Sequence, residues 1–282
     1  MLCCLGDVIE DVVVWLSSDI ATGTDTAVAI HRRRGGSAAN VAVAAANTGT
    51  GVRFIGRVGS DAIGRSLIGD LAIAGVDARV QQQGRTGTIV VLVHPGGERS
   101  MLPDRAAAVE LDTIADADLA GVTWLHVPAY SLVVEPLGAT SQAAIRTVRQ
   151  SGGKVSIDAS SSAIIEEFGV ARFSTMIDAL KPDVLFCNAD EGHILAMTDS
   201  RGAKGADLTI VKNGEYPAVA YSRGRLVATV PAIAVQDVRD TTGAGDAFAA
   251  GFIVARMAGI DIEGAITAGH RLAAEVLTRY SP

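Results

Sequence analysis

The sequence has only three cysteines among its 282 residues, too few for a framework of disulfides. Because all three lie in apolar runs, we expect buried free thiols in a reducing compartment, and hence a cytoplasmic protein. Basic residues are also in short supply, since 24 Lys and Arg face 31 Asp and Glu for a net charge of −7. Such a chain lacks the positive surface that general binding to nucleic acid or to an anionic membrane requires.

Long apolar runs are missing as well. No uncharged apolar stretch reaches the roughly 18–20 residues that cross a bilayer, and Asp7, Glu10 and Asp11 interrupt the first apolar stretch. Neither a transmembrane helix nor a secretory signal is therefore predicted. With 49% hydrophobic residues the chain nevertheless buries enough surface to fold, so intrinsic disorder is excluded.

Three kinds of motif are absent too. The chain has no glycine-rich P-loop that ends in Gly-Lys-Ser or Gly-Lys-Thr, which excludes that class of nucleotide-binding protein. The first predicted strand–helix turn lacks Gly-x-Gly-x-x-Gly, which argues against a nicotinamide-dependent oxidoreductase. The five histidines and three cysteines show no metal-ligand spacing, so a structural zinc site is not expected.

What is present is an alternation of short apolar runs with longer stretches of helical periodicity. Continuous rather than alternating apolarity indicates strands covered on both faces, as in a parallel sheet. The predicted core strands are Leu2–Leu5, Val52–Ile55, Trp124–Val127, Val155–Ile157, Val184–Cys187 and Leu208–Val211. The predicted helices are Ala38–Ala46, Asp61–Ala74, Pro136–Gln150, Phe173–Leu180, Glu191–Met197, Ala244–Met257 and Ile262–Thr278. This pattern predicts an α/β fold, a doubly wound and mostly parallel sheet with helices on both faces.

Two places break the alternation. The segments Asp11–Leu16 and Thr26–Arg34 follow the first strand with no helix between them, while Thr88–His94 and Arg99–Leu102 are joined by a turn at Pro95-Gly96-Gly97. We predict that these four segments form a small sheet that protrudes as a lid. The large domain then comprises residues 1–10, 35–85 and 106–282, and the lid comprises residues 11–34 and 86–105.

The glycine-rich segment at 240–252 carries the strongest functional signal. Gly243, Ala244 and Gly245 precede a long apolar-periodic stretch, so we expect them to form the opening turn of a helix. Such a turn has unpaired N–H groups and the positive end of the helix dipole, and residues with little side chain let an anion approach the backbone. The dipole would keep Asp246 ionised and able to accept a proton. An anion site beside a base is what phosphoryl transfer to a hydroxyl requires; the alternative is a glycine-rich helix start in which the dipole merely favours an aspartate.

A second segment, Gly35-Gly36-Ser37-Ala38-Ala39-Asn40, also opens a predicted helix. Its two glycines permit close approach to the backbone, and the Asn40 amide offers both a donor and an acceptor one turn into the helix. These residues could bind a substrate, or they could form a tight strand-to-helix turn that Asn40 caps. From the residues alone both interpretations stay open.

Together and in this order, the two segments resemble the signatures of the ribokinase family of carbohydrate kinases, also called the PfkB family. Gly-Gly-x-x-x-Asn-x-Ala is similar to its N-terminal signature, and Asp-Thr-x-Gly-Ala-Gly-Asp-x-Phe to its longer and more specific C-terminal one. Asn188-x-x-Glu191 and the glycine-rich stretch at 56–64 match as well, so the resemblance extends over nearly the whole chain. It implies a ribokinase-like fold and an ATP-dependent kinase, with Mg²⁺ as cofactor, that phosphorylates a primary hydroxyl of a sugar or sugar-like small molecule.

The resemblance also assigns roles to individual positions. Asp246 would be the catalytic base, and the amides of Gly243, Ala244 and Gly245 would form the anion hole. The positions that match its acceptor-binding residues are Asp11, Gly35, Gly36 and Asn40. The positions that match its nucleotide-binding residues are Asn188, Lys212, Asn213, Gly214 and His270. Glu191, three residues after Asn188 and thus expected on the same helix face, would hold Mg²⁺ through water.

Several positions depart from the family pattern. Ser37 replaces the lysine found in ribokinases, and no acid stands near Pro128, which counts against ribose as the acceptor. Pro217 replaces a glycine of the nucleotide loop. Asp240 and Thr242 match the first half of a monovalent-cation site, whose second half lies in a loop beyond the position of Pro282 in many relatives, so activation by such a cation is doubtful. The family also implies a homodimer that pairs through its lids.

Two other functions stay open. Gly-Gly-Ser at 35–37 also occurs in adenosine kinase-like members, which makes a nucleoside kinase the alternative within the same chemistry. A non-catalytic sugar-binding protein that keeps the fold is the alternative outside it. A sugar-phosphate acceptor would need cationic side chains, for which Arg33, Arg34 and Arg105 are the candidates.

Overall fold

The structure of the chain is a computed structural model that describes residues 1–95, 98–197, 202–236, 238 and 240–278. The strands within these residues are β1 Leu2–Leu5, β2 Ile9–Leu16, β3 Val28–Gly35, β4 Val52–Val58, β5 Asp77–Gln82, β6 Thr88–Val93, β7 Arg99–Asp104, β8 Trp124–Pro128, β9 Lys154–Asp158, β10 Val184–Asn188, β11 Leu208–Lys212, β12 Ala218–Ser222 and β13 Arg225–Val230. The α-helices within them are α1 Ser37–Ala46, α2 Ala62–Ile73, α3 Asp116–Leu119, α4 Leu137–Gln150, α5 Ser162–Phe168, α6 Val170–Leu180, α7 Ala189–Ile194, α8 Ala244–Met257 and α9 Ile262–Thr278.

The larger sheet has the strand order β13-β12-β11-β10-β9-β8-β1-β4-β5. Every pairing from β11 to β5 is parallel, whereas β12 and β13 add an antiparallel hairpin at one edge. The predicted α/β fold with a mostly parallel sheet is therefore confirmed. The sequence pattern missed β12, β13 and β5; of these, β13 and β5 are edge strands, and β5 (DARVQQ) has no apolar run.

Helices cover both faces of this sheet. Because side chains of successive strand residues point to opposite sides, each face has its own hydrophobic core. In β1, Leu2 and Cys4 pack into a core with α1, α2, α8 and α9, whereas Cys3 and Leu5 pack into a second core with α4 and α6. All three cysteines are buried and unpaired, as predicted. Among the described residues there is no helix with the length and apolarity needed to cross a membrane.

A second, small sheet has the strand order β3-β2-β6-β7, antiparallel except for the parallel pair β2–β6. Its strands coincide closely with the four segments predicted for the lid, and Val13, Val91 and Val93 form its own apolar cluster. Of the predicted turn at Pro95-Gly96-Gly97, Gly96 and Gly97 lie outside the described residues, as does the end of the chain at 279–282. The exact division into two domains stays a prediction.

The parallel pairing also determines where polar residues meet. Asp158, Asn188 and Lys212 are the last residues of the neighbouring strands β9, β10 and β11. The carboxyl ends of parallel strands share one edge of the sheet, which is where open α/β folds bind their ligands. The sheet therefore collects an acid, an amide and an amine at that edge from three separate stretches of sequence.

Candidate active site

The glycine-rich segment forms a tight turn at the start of α8. Gly243 is the N-cap and has φ 80° and ψ −4°, a left-handed conformation that glycine adopts at little cost. The Ala244 N–H donates to the Thr241 carbonyl at 3.2 Å. Among the residues that the structure describes, no carbonyl accepts the N–H groups of Gly243 and Gly245. Two of the three predicted anion-hole donors thus remain available, and the third is occupied within the turn.

The side chain of Asp246 lies one turn into the helix, between donors from the other glycine-rich segment. Its two oxygens accept from Ser37 Oγ at 2.7 Å and from Asn40 Nδ2 at 2.9 Å. Burial raises the pKa of Asp246 to about 6, against the opposing effect of these two hydrogen bonds. The helix dipole alone predicts a lowered pKa, and burial reverses that direction. The carboxylate is still mostly ionised at pH 7 and is a stronger base than an exposed aspartate.

The two glycines before α1 are required by the protein's own atoms. A Cβ on Gly35 would lie 2.1 Å from Asp11 Oδ1, and a Cβ on Gly36, which has φ 98°, would lie 2.3 Å from the Asp7 carbonyl oxygen. The Gly-Gly step therefore lets β3 pass the buried Asp11 carboxylate and turn directly into α1. This local turn brings Ser37 and Asn40 to Asp246 across 206 residues or more of sequence.

Next to the turn is a cavity of about 240 Å³. Its polar lining includes Asp11, Arg33, Asn40, Asp240, Thr242 and Gly243. Asp11 is only 6% exposed, and burial raises its pKa although two neighbouring arginines oppose the shift. Four residues predicted for the acceptor and cation sites, Asp11, Asn40, Asp240 and Thr242, are thus brought together beside the glycine turn at the start of α8.

The arginines at 32–34 at the end of β3 have three different environments. Arg32 is exposed and pairs with Glu10 at 2.7 Å on the surface. Arg33 Nη1 contacts Asp240 Oδ2 at 2.9 Å, and Arg34 Nη1 donates to Asn40 Oδ1 at 2.9 Å. Since Arg105 is likewise held by both oxygens of Asp7, at 2.6 Å each, the predicted candidates for binding a second phosphate already have protein partners.

Lys212 lies directly behind the turn. Its Nζ contacts Asp158 Oδ2 at 2.6 Å and would be 3.3 Å from a Cβ on Gly245. Burial by itself lowers the pKa of Lys212, but the carboxylates of Asp158, Glu191 and Asp246 together outweigh it and raise the pKa above its usual value. Sequence analysis missed Asp158, which is the last residue of the buried strand β9. The ammonium group is the cation beside the glycine turn.

The arrangement of Asn188 and Glu191 differs from the expected one. Asn188 is the N-cap of α7 rather than a residue on the helix face, and the two side chains bond each other's backbone N–H at 2.8 Å in a capping box. Glu191 is 2% exposed, and burial followed by the Asp158 charge raises its pKa to about 7. Glu191 is still part of the site, because it interacts with Asp158 and Lys212, but the helix cap rather than a shared helix face determines its position.

The remaining predicted nucleotide residues are spread more widely. Asn213 and Gly214 form the turn from β11 into the edge hairpin, where the Asn213 carbonyl accepts from Tyr216 N–H at 2.9 Å. The ring of His270 is 7% exposed and packs edge-on against Phe248, with 5.1 Å between ring centroids. His270 is therefore built into the contact between α8 and α9, and its proposed adenine contact stays a prediction.

The charges at the site fit a divalent cation. Asp158, Glu191 and Asp246 all interact with the single Lys212, which leaves an excess of negative charge. Within the described part of the chain, no group of three His, Cys, Asp or Glu side chains is close enough to ligate a metal directly. The carboxylates of the site are ligands of the kind that Mg²⁺ takes, since this ion is usually bound through one or two carboxylates together with waters and phosphate oxygens.

Comparison with known proteins identifies the family and the fold. A family model described as pfkB family carbohydrate kinase matches residues 1–282. A fructokinase from Klebsiella pneumoniae is 33% identical over 233 residues, which cover 78% of this chain and 75% of that protein. Among solved structures, adenosine kinase from Sinorhizobium meliloti has a TM-score of 0.86 at 23% identity and covers 99% of this chain and 94% of its own. Fructokinase from Xylella fastidiosa with bound ATP has a TM-score of 0.81 at 24% identity, with 99% and 92% covered; both structures speak for the fold.

Proposed function

Because the chain belongs to the pfkB family of carbohydrate kinases, we propose that ATP is its phosphate donor and that a primary hydroxyl of a sugar or sugar-like molecule is the acceptor. The observation that carries the proposal is the position of Asp246. Its carboxylate, with a pKa raised by burial to about 6, lies in the same helical turn as the available N–H groups of Gly243 and Gly245.

The proposed chemistry follows from these contacts. Asp246 takes the proton of the acceptor hydroxyl as the new O–P bond forms and the bond to ADP breaks. The N–H groups of Gly243 and Gly245 donate to the oxygens of the phosphate in transfer, so charge is stabilised where it develops. Ser37 and Asn40 hold the carboxylate in place without neutralising it, because both are uncharged donors.

Lys212 and Asp158 complete the phosphate side. The ammonium group of Lys212 is close to Gly245 and would contact the phosphates of ATP, while Asp158 positions it. Glu191 would hold Mg²⁺ through water, and the ion when bound supplies positive charge to the phosphate oxygens. Asp11, 6% exposed at the cavity, would accept hydrogen bonds from hydroxyls of the acceptor.

The fructokinase relative makes D-fructose the first acceptor to test. The experiment measures ADP release from ATP and Mg²⁺ with D-fructose, D-ribose or adenosine, and ³¹P NMR identifies the product. We expect ADP to form with a sugar and the Asp246→Asn variant to serve as the blank. Preference for adenosine would support the nucleoside kinase alternative. If a sugar raises the melting temperature of the protein but no ADP forms, the kinase proposal is wrong and the protein is a sugar-binding member of the fold.

The proposal also covers location and assembly. Three buried, unpaired thiols support a cytoplasmic protein. Val28 and Ile30 on β3 and Leu102 on β7 are exposed apolar residues, 37%, 56% and 57% respectively, on the face of the small sheet opposite Arg33. A second copy of the chain would cover them, so we expect a homodimer through the small sheets. Analytical ultracentrifugation tests this proposal. We expect the parent chain to sediment as a dimer and the Ile30→Asp variant to sediment as a monomer.

A further inference from the structure

Both edges of the small sheet contact one carboxylate of the large domain. Arg33 on β3 places Nη1 2.9 Å from Asp240 Oδ2, and Arg99 on β7 places Nη2 3.0 Å from Asp240 Oδ1. Strands β3 and β7 are the two outer strands of this sheet, and the register puts both arginines on the face that carries Asp11. The small sheet therefore holds Asp240 from two sides.

The same contacts extend to the residue that precedes the phosphate-binding turn. Arg99 Nη1 donates to Thr242 Oγ1 at 2.5 Å, and Asp240 Oδ1 accepts the N–H of Thr242 at 2.7 Å. Gly243 follows directly, and the direction of its N–H depends on how the Thr242 peptide is oriented. The side chain and the backbone N–H of Thr242 are thus both held by groups that the small sheet contacts.

The ionic character of this cluster suits a positioning role. Asp240 is partly buried, with 14% of its side chain exposed, and two guanidinium groups approach it. Although burial raises it, hydrogen bonds from Thr242 and Arg33 hold the pKa of Asp240 below its ordinary value. Arg33 Nε is also 3.7 Å from Asp11 Oδ2. The same side chain therefore links the turn to the cavity lined by Asp11, which is the proposed acceptor cavity.

We propose that Arg33 and Arg99 are positioning residues for phosphoryl transfer, because they lock the phosphate-binding turn through Asp240 when the small sheet lies against it. The inference rests on the proposed function, since it concerns the working shape of the same turn. Its consequence is that the turn is fully formed only when the small sheet covers the acceptor cavity. Transfer to a bound acceptor is then favoured over hydrolysis of ATP by water.

The test compares Arg99→Ala and Arg33→Ala with Arg32→Ala. Arg32 is the matched control because it is the neighbour of Arg33 on β3, is itself exposed, and pairs with Glu10 rather than with Asp240 among the described residues. Turnover is measured with ATP and whichever of D-fructose, D-ribose and adenosine the parent chain phosphorylates fastest. We expect kcat to fall about 10–100-fold in Arg99→Ala and Arg33→Ala, with KM for the acceptor changed less than about threefold in Arg99→Ala. Arg32→Ala should match the parent chain.

A second readout does not depend on activity. Hydrogen–deuterium exchange of the segment 240–246 should speed up in Arg99→Ala and Arg33→Ala and stay unchanged in Arg32→Ala. Arg99→Lys, which keeps a cation, should recover part of both turnover and protection. If thermal melting shows that Arg99→Ala is not folded, Arg99→Gln is tested in its place under the same criteria.

The outcomes separate the two proposals. If the parent chain forms no ADP with any of the three acceptors, the proposed function fails. If it does form ADP, and Arg99→Ala and Arg33→Ala keep its kcat and its exchange pattern, the positioning role is overturned while the kinase assignment stands. A loss that appears equally in Arg32→Ala also overturns it, because the effect is then one of the small sheet as a whole.

Discussion

Two aspartates lie six positions apart at the two ends of the glycine turn, and their surroundings shift their pKa values in opposite directions. Asp240 is surrounded by two guanidinium groups and a backbone N–H, and its pKa lies below the ordinary value. Among the described residues, the hydrogen bonds to Asp246 come from a hydroxyl and an amide, and burial raises its pKa to about 6. Charged hydrogen-bond donors keep one carboxylate ionised, whereas burial and neutral donors leave the other able to take a proton.

The largest expected effect concerns the end with the neutral partners. Asp246→Asn removes the base but keeps the size and a polar group, so turnover should fall about 10²–10⁴-fold while ATP still binds. Steady-state ADP release and calorimetric titration of ATP measure the two properties. Asp25→Asn, an exposed position, is the control. Near-normal turnover in Asp246→Asn would remove this residue from the mechanism and end the contrast between the two aspartates.

A smaller loss is expected at the anchored end. Asp240→Asn keeps the shape but removes the charge that both arginines contact, so turnover should fall about 10–100-fold through misplacement of the turn. Because Asp240 and Arg99 contact each other and are proposed to act together on Thr242, the double variant Arg99→Ala/Asp240→Asn should be no slower than the slower single variant. Additive losses, measured by the same ADP assay, would contradict a shared role.

The pH dependence of catalysis sharpens the comparison further. Since the free protein has a pKa of about 6 at Asp246, kcat/KM should fall about tenfold for each pH unit below 6. The Ser37 hydrogen bond lowers that pKa, so Ser37→Ala should move the acid limb to higher pH. Ser60→Ala, which loses a hydroxyl that donates to the Gln82 carbonyl instead of to Asp246, should leave the limb in place. If the acid limb does not move in Ser37→Ala, the ionisation that it reports is not that of Asp246.

The raised pKa of Asp246 should also affect the stability of the folded chain, with a smaller effect than on turnover. The pKa of Asp246 in the folded state, about 6, is above the value near 3.9 of an unfolded aspartate. The folded state therefore binds this proton more tightly, and ionisation destabilises it increasingly as the pH rises from about 4 to 6. We expect Asp246→Asn to melt a few degrees above the parent chain at pH 7 and with no such gain at pH 4. Equal gains at both pH values would point to packing instead.

The smallest expected effect is none at all. The oxygens of Asp240 and Thr242, which match half of a monovalent-cation site in relatives, contact Arg33 and Arg99 here. We therefore expect turnover at constant ionic strength to be the same in potassium and in tetramethylammonium chloride. Activation by potassium would show that the guanidinium groups do not serve as the local positive charge.

The predictable part of the site was local in sequence. Gly243, Asp246 and the Gly-Gly step before α1 stand out because backbone conformation and helix starts depend on neighbouring residues. Asp158 was missed because an acid at a strand end has no meaning until the strand order places it beside Lys212, 54 positions away. Asn188 and Glu191 were noticed for their spacing, but only the structure shows that the spacing makes a helix cap.

By itself, the sequence determined the mostly parallel α/β sheet, the small sheet and the glycine turn beside Asp246, because apolar periodicity and glycine spacing act over a few residues. Only the tertiary structure decided the charge states, since burial sets the pKa of Asp246 and contacts across 207 positions join Arg33 to Asp240. Electrostatic interactions depend on distance in space and on exclusion of water, and neither quantity exists before the chain is folded.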